Sequence, residues 1–240
     1  HVRGTVQMAG SHHGENLNAN GHLLLDALTF KGIPVTNLTG PFAVRANKLF
    51  FGSSVGEYVG DYTPPGSGKL TAQALAGELI MSGQGRLDEG KFTADAELRD
   101  AELRALLQDV GVNLEDTNAQ CNTNLHYSGV PWSPNTWAGN GLIELRNANL
   151  YKLPFMVRLL RVASVNEDDS AFQQADIKFD IDGDRIPLNI VCEGEVLRLK
   201  GEGWTTLRRE LHLELYSYVG RRSPIGSMFA PMFPDSKLST

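Results

Sequence analysis

The residues most suggestive of chemistry form a glycine-rich run, PGSGKLT, that ends at Thr71. A phosphate-binding loop has the pattern GxxxxGK followed by Ser or Thr, whose hydroxyl holds a metal ion. It therefore needs Ser or Thr directly after the lysine, and a first glycine five residues before the second one. Leu70 stands at the first of these positions and Thr63 at the second. We therefore interpret the run as a turn.

Metal sites are excluded on similar grounds. The run DIDGD at 180–184 has a calcium-loop composition, but with Gly183 as the sixth residue neither the first nor the twelfth position carries the required carboxylate. The two cysteines, Cys121 and Cys192, are far apart and have no neighbouring Cys or His, which argues against zinc. A disulfide between them stays open, although Cys192 has the position of an inward-facing strand residue.

Catalytic signatures are also missing from the sequence. It contains no GxSxG, no HExxH and no glycine-rich turn that opens a helix after a strand. The acidic cluster at 167–169 follows a predicted helix, and a solvated turn is its simplest interpretation. We predict a non-enzymatic protein with no catalytic residues, no metal and no cofactor.

The composition favours a β-rich chain. Its 240 residues are 41% hydrophobic and include 25 glycines, which suits many turns better than long helices. The net charge of -6, without a basic stripe, argues against nucleic acid as a partner. No apolar run reaches the ~18 residues of a membrane-spanning helix, and no signal peptide is recognisable.

Four runs between residues 174 and 219 alternate apolar and polar residues with period two, as half-buried strands do. Short turn-like segments join the runs ADIKFDI, IPLNIVC, VLRLKGEGW and LHLELYSYV. Tight joints connect antiparallel strands, because parallel strands need a long crossover. We therefore predict a mainly β chain with an antiparallel meander. Its apolar face is lined by Ile177, Phe179, Ile181, Leu188, Ile190, Leu197, Leu199, Leu211, Leu213 and Leu215.

Two short amphipathic helices are predicted beside the strands. The first, at 101–110, follows Asp100 as an N-cap and ends before Gly111. The second, at 154–163, begins with a proline suited to a first helical position and carries an apolar stripe. In the N-terminal part, Thr39-Gly40-Pro41 has the composition of a turn between strands.

An internal repeat suggests the domain organisation. A strand ending in ELR, followed by Asp or Asn and then Ala, occurs twice, with Glu97 aligned on Glu144 at an offset of 47 (144 minus 97). We predict one β-rich region over 1–240 that belongs to a larger protein. Within it we expect repeated strand–helix units at 70–138 and 139–222 and a C-terminal tail at 223–240.

The segments GNGLIELRNANLYKLPFMVRLLRVASV, FQQADIKFDIDGDRI and LRLKGEGWTTLRRELHLELYSYVGR together resemble the C-terminal region of AsmA-like bacterial envelope proteins. The likeness covers about the final hundred residues. The matching positions are Gly139, Gly141, Ile143, Leu145, Ala148, Leu150, Leu153, Pro154, Leu199, Gly201, Gly203, Leu207, Leu211, Leu213 and Leu215.

The resemblance implies a periplasmic location, with an inner-membrane anchor supplied by a segment outside this chain. It also implies a long curved sheet with an apolar trough, used in lipid transport and outer-membrane biogenesis. The expected partner is then a phospholipid or another envelope lipid, and the apolar face of the meander becomes the candidate lipid-facing surface. Two alternatives remain open from the residues themselves: the apolar face is a closed core, or the chain is a structural module that binds an envelope protein through a sheet edge.

Overall fold

The computed structural model describes most of the chain as a single antiparallel sheet. The described residues are 2–13, 16–30, 33–52, 68–102, 104–105, 119–146, 173–194, 197–208 and 210–219. The strands are β1 (Val2–His13), β2 (Asn16–Phe30), β3 (Ile33–Arg45), β4 (Lys48–Phe51), β5 (Leu70–Ala74), β6 (Gly77–Arg86), β7 (Lys91–Glu102), β8 (Gln120–Val130), β9 (Ser133–Arg146), β10 (Gln174–Asp182), β11 (Arg185–Glu193), β12 (Leu197–Thr206) and β13 (Leu211–Val219). The mainly β, antiparallel prediction is confirmed.

The strands follow one another across the sheet in chain order, with one exception. Strand β3 pairs with β5 along its first half and with β4 along its second half, and both β4 and β5 then pair with β6. The two short strands therefore share one position in the sheet. Strands β1 and β13 form its two edges.

The turn predicted at Thr39-Gly40-Pro41 is wrong, because these residues continue β3. Thr39 still faces Thr71 of β5, whereas Phe42 already faces Phe51 of β4. Pro41 lies where β3 changes neighbours. A proline has no N–H to give to a ladder, and its carbonyl accepts a hydrogen bond from Gly52 N at 3.1 Å.

Neither predicted helix is seen as an element among the described residues, which show only a helical pair at 104–105. The first was placed at 101–110, but Ala101 and Glu102 belong to β7, and Asp100 is not an N-cap. Asp100 instead forms a β-bulge, with a φ of 52° in the left-handed region; Asn37 has a similar φ of 53°. The N–H of Asp100 donates a hydrogen bond to Asn122 Oδ1 at 2.8 Å. Asp tolerates this conformation, so the same residue type serves caps and bulges.

The remainder of the first predicted helix, beyond the helical pair 104–105, lies outside the described residues. So do the whole second helix at 154–163 and the tail at 223–240. Within the described ranges, no helix is both long and apolar enough to cross a membrane.

The prediction that a strand ends at each ELR motif holds for β9, which ends at Arg146, but is wrong for β7, which continues past Arg99 to Glu102. The two motifs nevertheless contain the same ion pair. Arg99 Nε lies 2.7 Å from Glu97 Oε1, and Arg146 Nη2 lies 2.7 Å from Glu144 Oε1. Residues two apart on a strand point to the same face. In each copy the arginine therefore pairs with the glutamate of its own motif.

The register gives the sheet two chemically different faces. Ile177 faces Ile143 on one side and Ile190 on the other, whereas its neighbour Lys178 faces Leu142 and Asn189. Directly opposed residues point to the same side of a sheet. We name the side of Ile177 the apolar face and the side of Lys178 the polar face.

A hydrophobic core lies in the N-terminal part of the apolar face. Its buried members lie on β3 and β5, and half-buried side chains of β2, β4, β6 and β7 pack against them. The buried residues are Val35, Leu38, Leu70, Ala72 and Ala74. Because these residues come from both sides of the β3–β5 pairing, the core fixes the place where β5 joins the sheet.

Glycines on the apolar face allow the closest strand approaches. A Cβ added at Gly203 would overlap the backbone carbonyl oxygen of His212 on β13. Gly203→Val should therefore lower the free energy of unfolding by about 1–3 kcal/mol, the usual cost of overpacking. Glu202→Val, which places the same side chain on the exposed polar face one residue earlier, should change it by less than about 0.5 kcal/mol. Urea denaturation of both variants measures this, and equal midpoints would contradict the close approach.

Candidate functional site

The predicted lipid-facing residues lie together on the apolar face. Ile177, Ile190 and Leu215 belong to one row across the sheet, and Phe179, Leu188 and Leu213 belong to the next row. Ile181, Leu199 and Leu211 occupy register positions on the same face. Leu197 pairs with Val219 at a position of this face, but its side chain lies outside the description.

Both rows continue through strands that the sequence prediction did not include. The row of Ile177 runs from β6 to β13 and the row of Phe179 does the same, with no charged side chain in either. We name their large aliphatic and aromatic members the apolar band. The band consists of Leu79, Met81, Leu98, Leu125, Ile143, Ile177, Phe179, Leu188, Ile190, Leu213 and Leu215. The period-two pattern of β6 to β9 was a usable signal for the missed members.

Burial across the apolar face is uneven. Every side chain of the apolar band is half-buried. A second row runs parallel to the band and lies nearer the C-terminal ends of β7 and β9. All of its residues are buried: Ala101, Cys121, Leu145, Ala175, Cys192 and Leu199. Towards the opposite end and the β13 edge, Leu211 is 64% exposed. The face is thus closed along one row and partly open along the band.

Glycines shape the surface of the band. A Cβ at Gly141 would overlap the ring of Phe179, and one at Gly201 would lie 2.7 Å from Leu215 Cδ2. The larger side chains therefore lie over their glycine neighbours instead of standing away from the sheet. A ring that covers a cross-strand glycine is a common way to stabilise a strand pair.

The two cysteines belong to the buried row and are free. Cys121 on β8 and Cys192 on β11 are separated by three strand spacings, or about 14 Å, whereas a disulfide needs Cα atoms within about 7 Å. The disulfide alternative is therefore excluded. Burial raises the pKa of both thiols; for Cys192, burial together with the charge of Asp176 raises it to about 11.

One hydroxyl on the apolar face is buried without a partner. Tyr127 Oη has no hydrogen-bond partner among the described residues. Its ring packs edge-on against Trp137, with 5.8 Å between the ring centroids. Tyr127 faces Gly139 and Ala94 in the row beside the band, so this donor borders the apolar surface.

The opposite face carries a large open cavity of about 1080 Å³. Its lining includes the rows of Lys178 and Asp180 from β6 to β11 and the row of Phe179 that runs between them to Gly203, together with Lys69 and Glu202. The rows of Ile177 and Ile181, which would border a cavity on the other side, contribute nothing to it. The cavity therefore lies over the polar face.

The arrangement of groups in the cavity does not form a catalytic triad. Asp95 lies between Ser82 and His126 in its row, and His126 Nδ1 is 2.7 Å from Asp95 Oδ1. A nucleophile needs the histidine, not the carboxylate, as its neighbour. Among the described residues, no group of three or more His, Cys, Asp or Glu is placed to hold a metal ion.

Comparison of the chain with protein-family models, with curated proteins and with solved structures gives no match. The resemblance to the AsmA-like family therefore stays a prediction from the motif residues.

A thiol titration tests the closed row. The Cys121→Ser variant keeps a single cysteine, Cys192. Because only the thiolate reacts and the pKa of Cys192 is raised to about 11, alkylation by iodoacetamide should be slow at neutral pH and should accelerate up to about pH 11. In urea the same thiol should titrate near its ordinary pKa of about 8.5.

The raised pKa also fixes the sign of a stability effect. The folded state favours the protonated thiol, so its contribution to stability is present below the unfolded pKa and is lost as the pH rises through the folded pKa. If the alkylation rate of Cys192 in the folded variant instead rises with pH around the ordinary pKa of a thiol, this row is open to solvent.

Proposed function

We propose that the chain is a non-catalytic lipid-binding module that holds acyl chains along its apolar band. The observation that carries this proposal is the continuity of the band. Two adjacent rows from β6 to β13 contain no charged side chain, and every strand except β12 contributes half-buried aliphatic or aromatic side chains to them. On β12 the two positions are Gly201 and Gly203. A sheet with one apolar face must cover that face, and an acyl chain supplies suitable cover.

The dimensions of the band suit an acyl chain. Eight strands at ~4.8 Å spacing give it a length of about 34 Å, which exceeds the ~15 Å of one leaflet in the ~30 Å hydrocarbon core of a bilayer, so a whole acyl chain fits along it. Each buried methylene contributes about 0.8 kcal/mol, so ten methylenes would outweigh the absence of a charged anchor. Binding would thus be tolerant of chain type and headgroup.

A polar group of the lipid has a candidate partner beside the band. Tyr127 Oη is a buried hydroxyl with no hydrogen-bond partner among the described residues. An unpaired buried donor costs about 1–3 kcal/mol. An ester carbonyl of a lipid on the band would accept this hydrogen bond only if the side chains that cover Oη move aside.

The motif resemblance extends the proposal beyond the described sheet. On that basis the module works in the periplasm of a double-membrane bacterium, with an inner-membrane anchor outside this chain. Its role would be lipid transport in outer-membrane biogenesis.

A second candidate is a protein-binding module that pairs a partner strand with a sheet edge. Both edges expose apolar side chains: Val6 is 56% and Met8 64% exposed on β1, and Leu211 is 64% exposed on β13. Long edges of this kind are open to strand addition. A lipid-free chain would favour this candidate over the first.

Lipid extraction from matched variants tests the proposal. Ile177 and Lys178 are neighbours on β10 and face opposite sides of the sheet. Purified wild type, Ile177→Gln and Lys178→Gln are extracted with organic solvent, and phospholipid is measured by mass spectrometry per mole of protein. We expect phospholipid with the wild type, a loss of about tenfold for Ile177→Gln, because a polar amide then borders the chain, and no change for Lys178→Gln.

Circular dichroism and urea denaturation provide the folding control for both variants. Wild-type protein that carries no phospholipid, or two folded variants that retain it equally, would rule out the apolar band as the binding surface.

A further inference from the structure

The buried row on the apolar face is buried more deeply than its cross-strand neighbours explain. Leu145 lies between Cys121 and Ala175, which are both smaller than leucine, yet it is only 8% exposed. Ile177 of the apolar band lies between two isoleucines and is only half-buried. Because cross-strand neighbours shield Ile177 better than they shield Leu145, another part of the chain must cover the buried row.

The cover extends along the whole row and ends before the apolar band. The row spans β7 to β12, which is five strand spacings or about 24 Å. Leu199, at the β12 end, is only 2% exposed. The band begins one row away on the same face and is half-buried throughout. An element that lies across the strands, along the row, accounts for both observations.

The connection between β9 and β10 is anchored at the middle of the buried row. The chain leaves β9 at Arg146, one residue after Leu145, and enters β10 at Gln174, one residue before Ala175. Between them, residues 147–172 lie outside the described residues. Even at the helical rise of 1.5 Å per residue, this length of chain reaches about 39 Å, which is more than the length of the row.

The sequence of residues 147–172 has the amphipathic pattern that a cover needs. Arg158 and Arg161 lie off its apolar stripe, so one side suits the buried row and the other side suits water. The members of the stripe recur three and four positions apart: Phe155, Met156, Leu159, Leu160 and Ala163.

Two other segments leave the same end of the sheet but are less well placed. Residues 106–118 belong to the connection between β7 and β8, at one end of the row. Residues 220–240 follow β13, which lies beyond the row. The central anchor points and the length of chain therefore favour residues 147–172.

From the burial, the anchor points and the stripe together, we propose that residues 147–172 lie across the strands on the apolar face and cover the buried row with that stripe. The covered row then borders the apolar band and leaves the band itself open. The proposal rests on the burial of the row, so it holds whether or not the band binds lipid.

Photo-crosslinking within the full chain tests the position of the segment. A benzophenone amino acid replaces Leu159 on the stripe or, as the matched control, Arg158 beside it, and mass spectrometry maps the cross-linked peptides after proteolysis. We expect position 159 to cross-link to the peptides of β8 to β11 that contain the row, at least fivefold more than position 158. Equal yields would overturn the proposal. Row cross-links from position 107 but not from 159 would also overturn it and would assign the cover to residues 106–118.

The reactivity of Cys192 gives an independent measurement. In the Cys121→Ser background, Leu159→Gln should accelerate alkylation of Cys192 by iodoacetamide at least fivefold, whereas Arg158→Gln should change the rate less than twofold. Circular dichroism shows that both variants are folded, and equal rates in the two would contradict the cover.

Removal of phospholipid separates this proposal from the proposed lipid binding. In the Cys121→Ser variant, slow alkylation of Cys192 should persist after the protein is freed of lipid, because the cover belongs to the chain. If Cys192 becomes reactive when phospholipid is removed, lipid covers the row and the proposal is overturned.

Discussion

The structure depends on one constraint: the alternation of apolar and polar residues keeps its phase from strand to strand. A slip of one residue would turn a whole strand over, and the apolar band would then be interrupted by charged side chains. The chain meets this constraint even where a strand has an extra residue. On β7 the register shifts between Leu98 and Ala101, and the bulge at Asp100 returns Ala101 to the apolar face opposite Cys121.

Two surfaces with different chemistry follow from this phase. The apolar face has a buried row, which includes both cysteines, beside a half-buried band. The polar face has arginine–carboxylate pairs around a cavity whose central lysine and aspartate, Lys178 and Asp180, are not paired with each other. Because only one backbone layer separates the surfaces, each strand contributes to both, and a residue and its successor lie on different surfaces.

The sequence was sufficient to predict the four strands between residues 174 and 219 and the composition of their two faces, because period-two alternation is a local signal. Residues such as Ile177 and Lys178 could be assigned to opposite faces without coordinates. The helix start at Asp100 was wrong because a capping residue and a bulge residue share the same chemistry, and only the pairing of Ala101 with Cys121 distinguishes them. The turn predicted at Pro41 was wrong for a similar reason. Beside Pro41 the partner of β3 changes from β5 to β4, and the local sequence does not show which strands pair.

The polar-face cavity could not be predicted from the sequence. Its lining brings Asp95, His126, Asn140 and Asp180 into one row from four different strands. No local pattern marks these residues, and the register that aligns them is set mainly by the apolar side chains on the other face. The apolar band was predicted only in its C-terminal part, although the strands β6 to β9 also alternate with period two.

Photo-crosslinking at two neighbouring positions of β11 tests the central claim most directly. A benzophenone amino acid replaces Leu188, which lies in the apolar band, or Asn189, which faces the polar cavity. After irradiation with phospholipid vesicles, adducts are identified by mass spectrometry. The two-faced sheet predicts phospholipid adducts at position 188 and few at position 189. Equal yields at both positions, or a higher yield at 189, would contradict it.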